Sequence, residues 1–200
     1  MQRWKSIIFL LFFLLFVPDV ARAGIFDLPG FVEPTQWSVG IEPEFILSDG
    51  VGLGFNFKPR YGINNLLNVQ GIVGTGTGDR TFRLGGTLDI EFFPDIERQP
   101  GLAFPVTVLY QRRTGPDDLI LTGTPMIYKT FNGQGARYTP FIGVPLGWKF
   151  EDSVFYGFTI VSLGTMIVPA GWESVRFTAE AGFNAANAYS YLSGGVTYYP

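Results

Sequence analysis

Between Arg80 and Phe93 the chain reads RTFRLGGTLDIEFF, and its two parities have opposite characters. Phe82, Leu84, Leu88, Ile90 and Phe92 fall on one, with Gly86 among them, while Arg83, Gly85, Thr87, Asp89 and Glu91 fall on the other. Because side chains of a strand alternate between faces, the segment predicts a strand with one oily and one charged face. The split recurs in VGLGFNFKPRY, where Leu53, Phe55 and Phe57 oppose Asn56, Lys58 and Arg60. It recurs again in VRFTAEAGF, where Val175, Phe177, Ala179, Ala181 and Phe183 oppose Arg176, Thr178, Glu180 and Asn184.

Ten segments of this kind stand between turn signals, at 35–48, 51–62, 66–76, 80–93, 102–113, 118–130, 138–150, 153–168, 172–184 and 188–199. Segments six (LILTGTPMIYKT) and eight (SVFYGFTIVSLGTMIV) alternate poorly, so a count of eight strands also fits. Most segments reach the roughly 9–11 residues that cross a bilayer at a tilt. No helix-period segment and no linker-like run of Pro, Ser or charge interrupts them. The connectors SDG, INN, GTGD, PDIERQPG, TGPDD, NGQGAR, ED, PAG and NAAN are short and carry turn chemistry.

One connector invites another reading, because VGTGTGD alternates glycine with threonine and so offers the glycine-rich backbone of a phosphate-cradling loop. A P-loop needs a Lys after its second glycine, and a dinucleotide fingerprint needs a helix to follow. Here Asp79 and then a strand pattern follow Gly78, so the segment is a hairpin tip.

The first 23 residues have a basic start (Arg3, Lys5), an apolar run from Ile7 to Val17 and an Ala21-Arg22-Ala23 cleavage site. That is the form of a secretory signal peptide, with an apolar run too short to span a bilayer as a helix. Its removal leaves one domain, 24–200, with 24–34 as an N-terminal periplasmic lead-in. It also takes away three basic residues and one acid, leaving 11 Lys+Arg against 16 Asp+Glu, a net charge near −5 that argues against a nucleic-acid partner. The chain has no Cys, so no covalent staple is available to an exported protein, and closure, packing or a membrane must stabilise it. It has no His either, which deletes the commonest general base and the commonest metal ligand.

Alternation alone fits both a soluble β-sandwich, oily face inward, and a membrane barrel, oily face outward. The charged mid-strand positions, the uninterrupted up-and-down order and the aromatic strand ends favour the barrel. Trp37, Tyr61, Phe92, Tyr138, Trp172 and Tyr198 would form one rim, and Tyr110, Trp148 and Phe150 the other, as interfacial girdles do. The expected fold is therefore all-β, an antiparallel up-and-down transmembrane β-barrel of about ten strands.

With its signal peptide, its strand pattern and a last strand, YSYLSGGVTYYP, that sets Leu192, Val196 and Tyr198 on one parity, the mature chain resembles the small outer-membrane β-barrels of Gram-negative bacteria, the OmpA-like and OmpW-like barrels. Pro200 stands where that family usually ends in Phe. The resemblance implies an outer-membrane location and both termini in the periplasm. It also implies contact with outer-membrane lipid and lipopolysaccharide, and handling by the barrel-assembly machinery. A monomer is expected. The barrel acyltransferases, deacylases, phospholipases and omptin proteases rely on His, so none of their mechanisms carries over and no catalysis is expected.

The remaining chemistry is carboxylates at two-residue spacing, Glu42 with Glu44 and Asp89 with Glu91, each pair on one strand face. Together with Glu180 they share the polar face with Lys58, Arg60, Arg83, Lys149 and Arg176. Five acids and five bases in a narrow bore predict a salt-bridged plug, because buried charges persist when paired. The acidic tips Asp117-Asp118 and Glu151-Asp152 do not match a Ca²⁺ loop, and neither a cofactor nor a metal is expected. Narrow solute passage or a structural role follows from the barrel; a soluble periplasmic sandwich or lipocalin-like ligand binder is the alternative.

Overall fold

The computed structural model describes residues 31–48, 52–78, 80–152 and 154–200, so the expected signal peptide and residues 24–30 lie outside the described residues. The described strands are β1 (Trp37–Ile46), β2 (Gly52–Asn64), β3 (Leu67–Gly76), β4 (Arg80–Phe93), β5 (Gly101–Ala103), β6 (Val106–Arg113) and β7 (Asp118–Gly123). They continue with β8 (Met126–Tyr128), β9 (Phe131–Asn132), β10 (Ala136–Gly143), β11 (Leu146–Glu151), β12 (Val154–Pro169), β13 (Val175–Ala186) and β14 (Tyr191–Tyr198). β5 runs on into β6, β7 through β8 into β9, and β10 into β11, so the fourteen strands make ten staves, each antiparallel to the next. β1 pairs with β14, Val39 opposite Tyr198 and Ile46 opposite Tyr191, which closes the sheet into a barrel. Closure leaves no edge to pair with another chain.

The three divided staves share one cause. Pro105, Pro125 and Pro145 interrupt the fifth, sixth and seventh staves, and the pairings bring residues 104–105, 124–125 and 144–145 side by side. Proline has no N–H, so each exchange of two ladder bonds is cut to one. What survives is Thr124 N to Pro105 O (2.9 Å), Val144 N to Pro125 O (3.0 Å) and Ile160 N to Pro145 O (3.0 Å). Register shifts at Glu91/Phe93 and Thr159/Ile160 flank this crease. It is a line of bending across the wall, since bulges and lost ladder bonds both let strands bend.

Alternation decides what faces where. Ile41, Phe55, Phe57, Val73, Leu84, Leu88, Val108, Leu163, Phe183 and Val196 point outward, each about 40–60% exposed, while Glu42, Asn56, Lys58, Arg83, Thr87, Asp89 and Ser162 point inward and are buried. The oily face is the outer face, opposite to a soluble sandwich. Aromatics gather at both rims as expected, and Phe155 joins the far one, 6.4 Å from Trp148 and 5.1 Å from Phe150 between ring centroids. The apolar core inside the bore is small and split. Ile46, Ile160, Ala188 and Tyr191 form one cluster, Ile72, Leu109 and Ile120 another, and Ala103, Met126, Tyr128 and Phe141 a third.

The strand count is ten, as expected, and the alternative of eight falls away. Segment six alternates fully in space, with Asp118, Ile120, Thr122, Met126 and Tyr128 inward and Leu119 and Ile127 outward. Its hydropathy hides this because three inward residues are apolar and feed those clusters. Segment eight is similar, with Ile160, Met166 and Val168 inward and Leu163 outward.

Of the lead-in, residues 31–34 are described, and 35–36 connect it to β1. Val32 is buried, Thr35 N donates to Gly62 O (2.8 Å), and Phe31 packs on the cluster of Ala103, Met126, Tyr128 and Phe141. Gly62 lies on the second stave and that cluster on the fifth to seventh, so the segment reaches across the end of the bore where the chain terminus lies.

Candidate functional site: the charged bore

β1, β2, β4 and β13 carry their polar parity inward, and that places the charged positions at successive levels. Lys58 Nζ lies 2.9 Å from Glu42 Oε2. Arg83 Nη1 pairs closely with Glu44 Oε2, which also accepts from Asn56 Nδ2 at 2.8 Å. Arg60 Nε lies 3.4 Å from Asp89 Oδ2 and donates to Gln70 Oε1 at 3.0 Å. All six ion-pair side chains are at least nine-tenths buried. Each pair spans different strands, so folding alone assembles it. A Cβ at Gly54 would stand 2.9 Å from Glu44 Oε2, so the glycine leaves the room in which that carboxylate sits.

The other four expected plug residues behave differently. Glu91 accepts the Tyr128 hydroxyl and Glu180 accepts the Tyr191 hydroxyl. These are the two acids in excess over Lys58, Arg60 and Arg83 inside the bore, and each is satisfied by a neutral donor in place of a cation. Lys149 and Arg176 lie near the two mouths. Lys149 Nζ lies 3.2 Å from Asp118 Oδ1 and 2.6 Å from Glu151 Oε2 at the far mouth. Arg176 lies at the terminal mouth with its guanidinium carbon 3.6 Å from the Tyr199 ring centroid. Both are near strand ends, where the inward parity opens on a vestibule and not on an opposing strand.

Sequence pattern missed Tyr128, Tyr191, Gln70 and Asn56 as partners. It also took Asp118 for a loop tip, whereas Asp118 is 2% exposed and faces Gln111, Arg113 and Lys149 inside the far mouth. Its period-two relation to Ile120 and Thr122 was the available signal.

The open volume matches this arrangement. A cavity of about 420 Å³ at the terminal end is lined by Phe31, Glu91, Tyr128, Arg137, Thr139 and Arg176 among others. One of about 160 Å³ at the far end is lined by Arg80, Gln111, Asp118, Lys149 and Tyr189. Beside Glu42, Lys58, Arg60 and Gln70 the void is only about 30 Å³, space for a water or two.

Outside the strands, burial alone would raise the Asp95 carboxyl, but hydrogen bonds from Lys129 Nζ and Thr130 N prevail and hold its pKa below the ordinary value. Burial pushes the Tyr189 phenol up, opposed by the Arg80 guanidinium 4.4 Å from its ring centroid. Among the described residues, no cluster of three acids could hold a metal ion. The GTGTG segment closes a hairpin, with Gly78 at φ 72° and Thr77 N bonded to Leu53 O (2.8 Å). No protein-family model matches the chain, and no curated protein matches it in sequence.

Proposed function

We propose that the protein is an integral outer-membrane β-barrel with a structural or narrow solute-passage role, its bore closed by side chains and without catalytic activity. One observation carries this reading: the large apolar side chains are outside and the ion pairs are inside. In water, a continuous oily exterior is a liability, since soluble monomers rarely expose apolar patches beyond a few hundred Å². Against lipid the same wall is favourable, and aromatic girdles at both rims fit the two interfaces. A lipocalin-like barrel needs the reverse distribution, an apolar cup inside and a wet wall outside. The closed hydrogen-bond ladder supports a monomer, in contact with lipid and lipopolysaccharide. The resemblance to OmpA-like and OmpW-like barrels belongs to this proposal too, as do export through a signal peptide and delivery by the assembly machinery.

The test is fractionation of an expressing Gram-negative cell. The protein should partition with the outer membrane, need detergent for extraction and migrate faster on a gel unheated than boiled. Recovery as a folded protein in the periplasmic fraction without detergent would overturn the reading.

A further inference from the structure

Arg176 is the second residue of β13 and faces inward at the terminal mouth. Its guanidinium face is covered by Tyr199, yet Nε is buried with no hydrogen-bond partner. A ring on the face holds the cation without using its in-plane N–H donors. No acid among the described residues pairs with it. Glu173, the nearest candidate in sequence, is largely exposed and lies 3.5 Å from Arg137 instead. The charged side chains around Arg176 include two more cations, Arg137 and Arg60, against the single carboxylate of Glu173, which acts on it without an ion-pair contact. A partly desolvated guanidinium without a carboxylate is costly unless something supplies one.

The space for that something is present. Arg176 lines both the cavity of about 420 Å³ and a second of about 240 Å³ that reaches Gln36, Ser174 and Tyr199. The larger volume is in the range of small-ligand pockets. The acids facing it are engaged, Asp95 with Lys129 and Thr130, Glu91 with Tyr128. Arg137, which also meets Glu173, and Thr139 complete the wall, and Phe31 and Met166 supply apolar surface.

We propose that this vestibule binds a small organic carboxylate, gripped by the in-plane fork of Arg176 with Arg137 beside it. The far end of the ligand is neutral or cationic, because it meets Glu91 and Asp95. A guanidinium fork matches the two oxygens of a carboxylate. The site goes beyond the membrane reading and does not rest on it, since Arg176, Tyr199 and the cavity would bind equally in a barrel that proved soluble.

The experiment follows the arginine Nε–Hε resonances of the folded, isotope-labelled protein in a phosphate-free maltoside micelle. Benzoate should shift one resonance saturably, and that resonance should be missing from Arg176→Gln. Calorimetry should show benzoate binding at least tenfold weaker in Arg176→Gln and unchanged in Arg80→Gln at the opposite mouth. Succinate, whose second carboxylate would meet Glu91, should bind more weakly than benzoate. No shift in the wild-type protein at millimolar benzoate would overturn the site, whatever the variants do. Equal binding by Arg176→Gln, or a shift with phosphatidylglycerol and none with benzoate, would do so as well.

Discussion

At the scale of single residues, the bore is organised by what each buried charge finds opposite. Lys58 and Glu42 illustrate the cost of disturbing it. Removing one partner of a buried pair leaves an uncompensated charge and typically costs about 3–5 kcal/mol, while replacing both is far milder. Glu42→Gln should therefore lower the heating midpoint of the folded gel band sharply, and the double variant Glu42→Gln, Lys58→Met should recover most of the loss. Tyr191 sets a second test. Its ring lies directly over Gly182, where a Cβ would overlap it, while a Cβ at Gly194 would stand 3.5 Å from the nearest atom, Thr178 O. Gly182→Ala should destabilise by about 1–3 kcal/mol through overpacking and Gly194→Ala much less. Equal midpoints for the two would contradict the seating of Tyr191. The face on which Glu180 lies was legible from its parity, but its partner was not. A period of two assigns a side, and only the register between β13 and β14 brings Gly182 opposite Tyr191.

At the scale of elements, the long alternating strands β1 to β4 were readable because their inward residues, Ile46 and Ile72 apart, are polar or small. The fifth to eighth staves were harder, since inward Leu109, Met126, Phe141 and Ile160 erase the contrast in hydropathy. The proline crease was invisible as a unit, because prolines twenty residues apart become neighbours only through pairing. Pro125→Val would give the sixth stave an N–H facing the Val144 carbonyl, with no bond to break in exchange. A restored bond is worth about 1 kcal/mol, so the gel midpoint should rise and the Val144 amide should exchange more slowly. A lower midpoint would mean that the wall needs the bend. The clasp between the 94–100 connector and Lys129 has its own signature. Asp95 has a folded pKa below its ordinary value, so its contribution is present above the unfolded pKa and is lost as pH falls through the folded one. Amide protection at Thr130, whose N–H donates to Asp95 Oδ2 at 2.7 Å, should therefore fall on acidification through the carboxylate range in the wild type. In Asp95→Asn that acid-induced fall should be absent.

At the scale of the whole molecule, function turns on whether the bore passes anything. Eight strands enclose only side chains and about sixteen are needed for an aqueous porin, so ten staves leave a bore that side chains can close. The three ion pairs and the Tyr191-bound Glu180 fill the bore, Glu91 faces the terminal vestibule, and the void beside Glu42, Lys58 and Arg60 is only about 30 Å³. Water and ions must break those pairs to cross, and the native protein in a planar bilayer should show little or no steady conductance. Arg83 is the residue to remove. It is 2% exposed, holds Glu44 and touches Asn56 Oδ1 at 3.3 Å, so Arg83→Ala takes the cation from a fully buried carboxylate inside the bore. The freed charge should draw in water and cations, giving cation-selective openings. Arg176→Ala, at the terminal mouth outside the plug, should leave the bore silent. Large, stable, ohmic currents from the unmodified protein would overturn the closed bore and make the barrel a diffusion channel.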